Sequence, residues 1–260
     1  MNIKFITKKI FLSYLFSSLG FILGYLIRIA ATRTLNPQQL GLAYSIIYVS
    51  SLFANILDFG IRQSFNYLFH EKKDKKKVLS HYLSLKLLLF FLSFLILLIF
   101  KPFFMNLLKI DNDLTFYIFF LFFLSLYIFL DLINIISVEI KAVLNSFFNF
   151  LKFFFILTIF LFFIQLFKEK TFYLFLFSWI FSLIILIIVL IIYLIKNYGF
   201  LILSFSKKSL KELKFLVKKG IPLFFLNISH LFMFYIDTLV VIYFLGHENY
   251  SYYNLAYSLL

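Results

Sequence analysis

Cysteine is absent from this chain of 260 residues, which also has only three prolines and seven glycines. The lack of cysteine excludes disulfides and thiolate metal sites. Charged residues are also scarce: they make up 14% of the chain, whereas soluble domains carry about 25%. Hydrophobic residues make up 63%, more than a soluble domain of this length can bury, so lipid must solvate most of the surface.

The motifs of several enzyme classes are missing as well. The chain has no Walker A sequence, no GxGxxG, no HExxH and no GxSxG, and its histidines share no metal-ligand spacing. The net charge of +14 is compatible with nucleic acid binding. However, the lysines lie in short runs between apolar segments, as they do in membrane proteins. We therefore predict no catalytic residue, no metal ligand, no cofactor and no nucleic acid partner.

Apolar segments separated by polar breaks predict an all-α polytopic membrane protein. Each complete segment has about 20 residues or more, enough to cross about 30 Å of hydrocarbon as a helix. None has the alternating polarity of a barrel strand. The predicted spans cover residues 10–31, 41–63, 79–100, 114–136, 147–167, 172–195 and 221–244, and an eighth begins near residue 251. Because the eighth stops about halfway across a bilayer, we expect Leu260 to interrupt a longer protein.

The distribution of positive charge predicts a cytoplasmic N-terminus in the cell membrane. Most lysines and arginines lie in breaks on the N-terminal side, above all in the loops 64–78 and 196–220. Lys141, in the break after the fourth span, and Lys152, near the start of the fifth, are counted on that side as well. Because cytoplasmic loops are enriched in these residues, both long basic loops are expected to face the cytoplasm.

The second basic loop divides the chain into three parts. Residues 1–200 are predicted to form an N-terminal six-helix lobe, 201–220 a linker helix, and 221–260 the start of a second lobe. In the linker, Ser209 precedes Glu212 by three residues, which is a capping-box pattern. An apolar face then opposes a lysine face; it consists of Leu210, Leu213, Leu216 and Val217. This pattern predicts an amphipathic helix on the cytoplasmic leaflet, with a generic basic loop as the alternative.

Three shorter motifs carry local predictions. Gly20 and Gly24 have GxxxG spacing, which indicates close helix packing within the chain and does not require dimerisation. Pro222 has the position of a first-turn proline at the head of the seventh span. Asp111 and Asp113 form a DxD pattern that binds metal in some glycosyltransferases. The simpler interpretation is that Asp113 is the N-cap of the fourth span.

Charged residues assigned to the span interiors cost roughly 3 kcal/mol or more each in lipid and mark a polar interior. They are Arg28, Asp58, Arg62, Lys86, Asp131 and Asp237. Asp58 and Arg62 are separated by one helical turn, so they are expected on one face. The three cations could instead extend to the membrane interface. Aspartates are too short to do so, which favours a polar partner for Asp237 in particular.

Two blocks of sequence carry a resemblance to a known family. Residues 33–64 contain Leu35, Asn36-Pro37-Gln38-Gln39, Gly41-Leu42 and Asp58-Phe59-Gly60. Residues 218–260 contain Gly220-Ile221-Pro222-Leu223, Asp237, Leu245-Gly246 and the run Tyr-Tyr-Asn-Leu-Ala-Tyr at 252–257. Together they resemble the polysaccharide biosynthesis or O-antigen oligosaccharide flippases of the MOP superfamily, which also includes MATE exporters and lipid II flippases.

The resemblance implies two six-helix lobes around a central cavity, with 12 to 14 spans in all, of which this chain holds the first lobe and the start of the second. It implies transport of a polyprenyl-diphosphate-linked oligosaccharide across the cytoplasmic membrane, with the bilayer, a glycan polymerase and glycosyltransferases as partners. The candidates for a cationic, substrate-binding surface are Arg28, Arg62 and Lys86. The candidates for charge balance or ion coupling are Asp58, Asp131 and Asp237.

Three alternatives stay open at this stage. The first is a MATE-like drug or metabolite exporter, for which an acidic cavity is expected. The second is a membrane-embedded glycan polymerase or acyltransferase, which usually has a large external loop that is missing from the predicted topology. The third is a membrane scaffold without transport activity.

Overall fold

The structure is a computed structural model that describes residues 3–71, 74–138, 142–199 and 207–257. Its regular elements in those ranges are all helices: α1 (Ile3–Thr34), α2 (Pro37–Ile56), α3 (Ile61–Glu71), α4 (Lys75–Ile99), α5 (Lys101–Leu107), α6 (Asp113–Val138), α7 (Ala142–Leu166), α8 (Phe172–Tyr198) and α9 (Lys207–Tyr257). Seven segments in this part of the chain are long and apolar enough to cross a membrane. The chain is an all-α polytopic membrane protein, as predicted.

The predicted second span is too long, because its helix ends earlier. The candidate span is Pro37–Ile56, and the chain turns between Leu57 and Gly60 before α3 begins. Phe59 and Gly60 have positive φ angles of 50° and 70°, which a right-handed helix cannot contain. The prediction of a long loop over 64–78 is also wrong, since α3 extends into it to Glu71.

The C-terminal helix differs from the prediction in two ways. Pro222 lies inside α9, which begins at Lys207, so this proline does not start the helix. The break predicted between the seventh span, which ends at residue 244, and the eighth, which begins near residue 251, is helical except at Gly246 (φ 79°, ψ 179°). Within the predicted linker, residues 201–206 and the side chains of Ser209, Leu210, Glu212 and Leu213 lie outside the described part.

Helix α6 occupies the centre of the packing and α1 its edge. In α6, 67% of the candidate span is buried, against 11% in α1. Helix α1 packs chiefly on α7, where a Cβ on Gly20 would lie 3.6 Å from the Cα of Phe150. The prediction that the GxxxG motif packs inside the chain is confirmed. Much of the remaining surface of α1 is apolar and exposed, as expected for contact with lipid.

Helix α9 lies against α2 and α3 at two glycine contacts. A Cβ on Gly41 would lie 1.8 Å from the carbonyl oxygen of His247, and one on Gly60 would lie 2.2 Å from that of Gly220. Both distances are far below van der Waals contact. The two sequence blocks that carry the family resemblance are therefore in backbone contact at both places.

The start of α6 corrects the predicted cap. The side chain of Asn112 accepts the Leu114 N–H at 2.8 Å and satisfies the first turn. Asp113 instead pairs with Lys101 at the start of α5, at 2.8 Å. This exposed pair raises the pKa of Lys101, through the hydrogen bond from its ammonium to Asp113.

Candidate functional site

Four of the six predicted site residues meet in one buried cluster, which we call the charge quartet: Asp58, Arg62, Lys86 and Asp131. Arg62 Nε lies 2.7 Å from Asp131 Oδ1 and 3.5 Å from Asp58 Oδ1. Lys86 Nζ lies 3.0 Å from Asp131 Oδ1 and also bonds Asp58. No side chain in the quartet is more than 12% exposed. Two cations and two carboxylates thus form a neutral unit.

Local structure explains how Asp58 reaches Arg62. Asp58 lies in the turn between α2 and α3, and its Oδ2 accepts the backbone N–H of Arg62 at 3.2 Å. The expected contact between the two side chains is present. It forms across the bend at Phe59 and Gly60, because the helix is not continuous between Asp58 and Arg62. Lys86 arrives from α4 and Asp131 from α6, so the quartet joins three regions of the chain.

Aromatic and amide groups enclose the quartet. The Lys86 ammonium lies 5.7 Å from the ring centroid of Tyr82 and 5.2 Å from that of Tyr127. The Tyr82 hydroxyl donates to Asp131 at 3.5 Å, and Arg62 Nη1 donates to Asn55 at 3.3 Å. The cations are thereby bound to acidic and aromatic groups of the chain itself. Neither Arg62 nor Lys86 presents an unpaired charge to an incoming anion.

Arg28 lies apart from the quartet, in a cavity of about 580 Å³. The cavity is formed by α1, α2, α7 and α8, with Tyr257 of α9 at its margin. Within the described residues, the Arg28 guanidinium makes no ion pair and no hydrogen bond, and no acidic residue lines the cavity. Most of the lining is aromatic. The cavity therefore combines one unpaired cation with many ring surfaces.

Two aromatic residues of the lining carry buried donors that lack partners in the described part of the chain. The Tyr44 hydroxyl and Trp179 Nε1 are both buried and make no hydrogen bond, and both residues line the cavity. Tyr44 is only 5% exposed. Buried donors are nearly always satisfied, and these two are exceptions that are closed to solvent in this structure. The charged donors that the lining offers to an anionic ligand are those of Arg28.

Asp237 forms its hydrogen bonds with residues outside the quartet. Its carboxylate accepts from the Tyr253 hydroxyl across the kink in α9, and from the backbone N–H of Thr238 at 2.7 Å. These bonds give it the polar partner expected from the sequence. They tie the two sides of the Gly246 kink together, and they bring Asp237 to none of the three predicted cations.

One charged residue escaped the sequence prediction. Lys152, assigned to a cytoplasmic break, lies ten residues into α7 and inside the candidate span Val143–Leu166. Its ammonium is 4.6 Å from the Phe153 ring centroid and 5.9 Å from that of Phe129. It makes no ion pair with any described residue. The signal was present in the sequence, since residue 152 falls within the predicted fifth span.

A histidine outside the predicted set joins α9 to the rest of the chain. His247 Nδ1 lies 3.1 Å from Ser45 Oγ on α2, and Nε2 lies 2.8 Å from the carbonyl oxygen of Leu108 after α5. Burial lowers the pKa of His247. Together with the Gly41 contact, these bonds hold the part of α9 around His247 against α2.

Comparison with known proteins identifies a family. The family model described as "Polysaccharide biosynthesis protein" matches residues 6–260. No curated protein and no solved structure matches the chain significantly.

Proposed function

Because the chain belongs to the polysaccharide biosynthesis protein family, we propose that it acts in a flippase that moves a polyprenyl-diphosphate-linked oligosaccharide across the cytoplasmic membrane. The diphosphate and sugars of such a substrate cannot cross hydrocarbon unaided. A protein that moves them must offer donors and positive charge within the membrane while the lipid tail stays in the bilayer.

The observation that carries this proposal is the Arg28 cavity. A free guanidinium binds phosphate oxygens with two parallel hydrogen bonds, and Arg28 is the unpaired cation in the lining. Tyr44 and Trp179 of the same lining have a hydroxyl and an indole N–H that are buried and without partners among the described residues. Aromatic rings offer apolar faces for sugar rings and prenyl chain. The substrate-binding role predicted for Arg62 and Lys86 is not part of this proposal, since both are neutralised in the quartet.

The charge of the cavity separates a flippase from a drug exporter. Exporters of cationic drugs need carboxylates at the binding site, and among the described residues the lining contains Arg28 and no acidic side chain. This composition favours an anionic substrate. The topology we propose keeps the N-terminus in the cytoplasm, with glycan polymerase and glycosyltransferases as functional partners of the transport step.

Replacing Arg28 with Ala tests the function. We expect export of surface glycan to fall about tenfold or more, because a charge-assisted contact to the diphosphate is lost, and lipid-linked oligosaccharide to accumulate on the cytoplasmic leaflet. Both are measured in cells whose surface glycan depends on this gene, by glycan staining and by accessibility of the lipid-linked pool.

The matched control is Arg33→Ala on the same helix, since Arg33 is exposed and lines no part of the cavity. It should leave export unchanged. Normal export by Arg28→Ala protein, inserted at the level of the wild type, contradicts the proposal.

A further inference from the structure

The Arg28 cavity is longer than a diphosphate needs. Ser17 and Arg28 both line it, and they lie eleven residues apart on α1, about 16 Å along the helix. Two hydrogen bonds of about 3 Å hold a phosphate at a guanidinium, so most of this length lies beyond the contact. The cavity volume of about 580 Å³ is within the range of pockets that enclose drug-sized ligands. The part of the cavity away from Arg28 is therefore open to the group that the diphosphate carries.

The lining beyond Arg28 is neutral and suits a carbohydrate. Arg28 is the charged member of the lining among the described residues, and Ser17 and Asn149 are its uncharged polar side chains apart from the rings. The amide nitrogen of Asn149 donates to the Asn145 backbone carbonyl at 3.1 Å, which leaves the amide oxygen as an acceptor. Aromatic rings form most of the remaining lining. A sugar matches both kinds of group, because its hydroxyls form hydrogen bonds and its ring carbons present an apolar C–H face.

Tyr257 brings an aromatic ring to the margin of the cavity from α9. Its ring centroid lies 6.0 Å from that of Tyr253, at an interplanar angle of 21°, and the Tyr253 hydroxyl donates to the Asp237 carboxylate. One helical turn before Tyr257, Asn254 accepts at 3.4 Å from the hydroxyl of Tyr48, which also lines the cavity. These contacts hold the Tyr257 ring in place, while 48% of the residue stays exposed. A ring held in this way covers the face of a ligand at little cost in side-chain entropy.

The other rings of the lining are less suited to this contact. Tyr44 is only 5% exposed, and Trp179 contacts two further rings of the protein. Phe21 and Tyr25 of α1 are exposed, but within the described ranges neither makes a ring contact, so no stacked neighbour fixes the plane of either ring. Tyr257 combines exposure with a stacked neighbour.

We propose that Tyr257 is the platform on which the first sugar of the substrate stacks, an inference that rests on the proposed function. With the diphosphate at Arg28, the sugar bonded to it continues along the cavity, and its C–H face lies on the exposed part of the Tyr257 ring. The hydroxyls of the sugar meet the neutral polar groups of the lining. Because stacking depends on the ring and not on charge, the cavity favours a diphosphate that carries a sugar over one of equal charge that carries none.

The test is binding of two geranylgeranyl diphosphate esters, the glucosyl ester and the methyl ester, to the full chain in phosphatidylcholine nanodiscs. The two esters carry the same charge, so the difference in affinity reports on the sugar. We expect the wild type to bind the glucosyl ester about threefold to tenfold more tightly, which is the size of one aromatic contact. Tyr257→Ala should bind both esters with the affinity that the wild type has for the methyl ester. Tyr257→Phe keeps the ring and should keep the preference.

Tyr252→Ala is the control, because Tyr252 lies on the same part of α9 and is exposed but lines no part of the cavity, and it should keep the wild-type preference. An unchanged preference in Tyr257→Ala, its loss in Tyr257→Phe, or equal affinities of the wild type for the two esters overturns the platform and leaves the proposed function standing. If the wild type binds neither ester, the proposed function is overturned, and the platform with it.

Discussion

The charge quartet and the Arg28 cavity use similar residues in opposite ways. In the quartet, Arg62 and Lys86 are bound to two carboxylates and are almost completely buried. In the cavity, Arg28 has no carboxylate, and Tyr44 and Trp179 have unused donors. Both regions place positive charge within the membrane, but the cation of the cavity, unlike those of the quartet, has no carboxylate partner among the described residues.

The difference separates structural charge from charge available for binding. A cation inside a span is a functional candidate by default, yet two of the three predicted cations are satisfied within the chain. Their pairing joins the α2–α3 turn to α4 and α6. We therefore expect the loss of one quartet partner to affect stability first, and the loss of a cavity donor to affect binding first.

The largest effect is expected from Asp131→Asn. This change leaves Arg62 and Lys86 with one carboxylate between them, and breaking a buried pair in this way costs about 3–5 kcal/mol. Unfolding in mixed micelles measures the loss. The double variant Asp131→Asn with Lys86→Met leaves one ion pair and should recover part of that stability.

The control for that prediction is Asp113→Asn, which breaks the exposed pair with Lys101 and should cost about 0–1 kcal/mol. If Asp131→Asn is as mild as Asp113→Asn, the quartet does not hold the helices together. Failure of the double variant to recover any stability indicates that Lys86 does not depend on Asp131.

Hydropathy was sufficient to predict the helical class and the seven spans, because lipid contact imposes long apolar segments. It could not predict the end of α2 or the start of α9. The α2 break depends on the left-handed backbone of Phe59 and Gly60, within an apolar run. The prediction for Pro222 was wrong because a proline can lie inside a membrane helix when its neighbours satisfy the freed carbonyl.

The site was only partly predictable for a different reason. All four quartet residues were selected from the sequence, because charge inside a span is conspicuous. Only the Asp58–Arg62 contact followed from spacing, since Lys86 and Asp131 come from distant helices. Tyr44 and Trp179 carried no signal among so many aromatic residues. Lys152 was misassigned because basic residues near a span start were counted with the adjoining break.

A smaller effect is expected from Gly60→Ala, at the turn that presents Asp58 to the quartet. A Cβ there would meet the carbonyl of Gly220 at 2.2 Å on a residue with φ 70°, so both strain and a backbone clash oppose it. We expect a loss of about 1–3 kcal/mol, the range for a strained backbone position, measured as above.

Gly246→Ala is the matched control, because Gly246 has φ 79° but a Cβ added to it would have nothing within 4 Å. It shares the strain without the clash. Equal losses in the two variants indicate that the close approach of Gly220 to Gly60 adds nothing to the cost of the substitution.

The smallest effect on stability is expected from Tyr44→Phe, which tests the cavity side of the comparison. The hydroxyl has no hydrogen bond partner among the described residues, so removing it should leave the free energy of unfolding unchanged or raise it by about 1 kcal/mol. Diphosphate affinity should nevertheless fall about threefold to tenfold, since a neutral hydrogen bond contributes about 0.5–1.5 kcal/mol.

Tyr250→Phe is the control, because Tyr250 is also buried but does not line the cavity, and the affinity of this variant should match that of the wild type. Unchanged affinity in Tyr44→Phe shows that the unpaired hydroxyl is not used by the ligand, and the contrast between the cavity and the quartet then depends on Arg28 and Trp179.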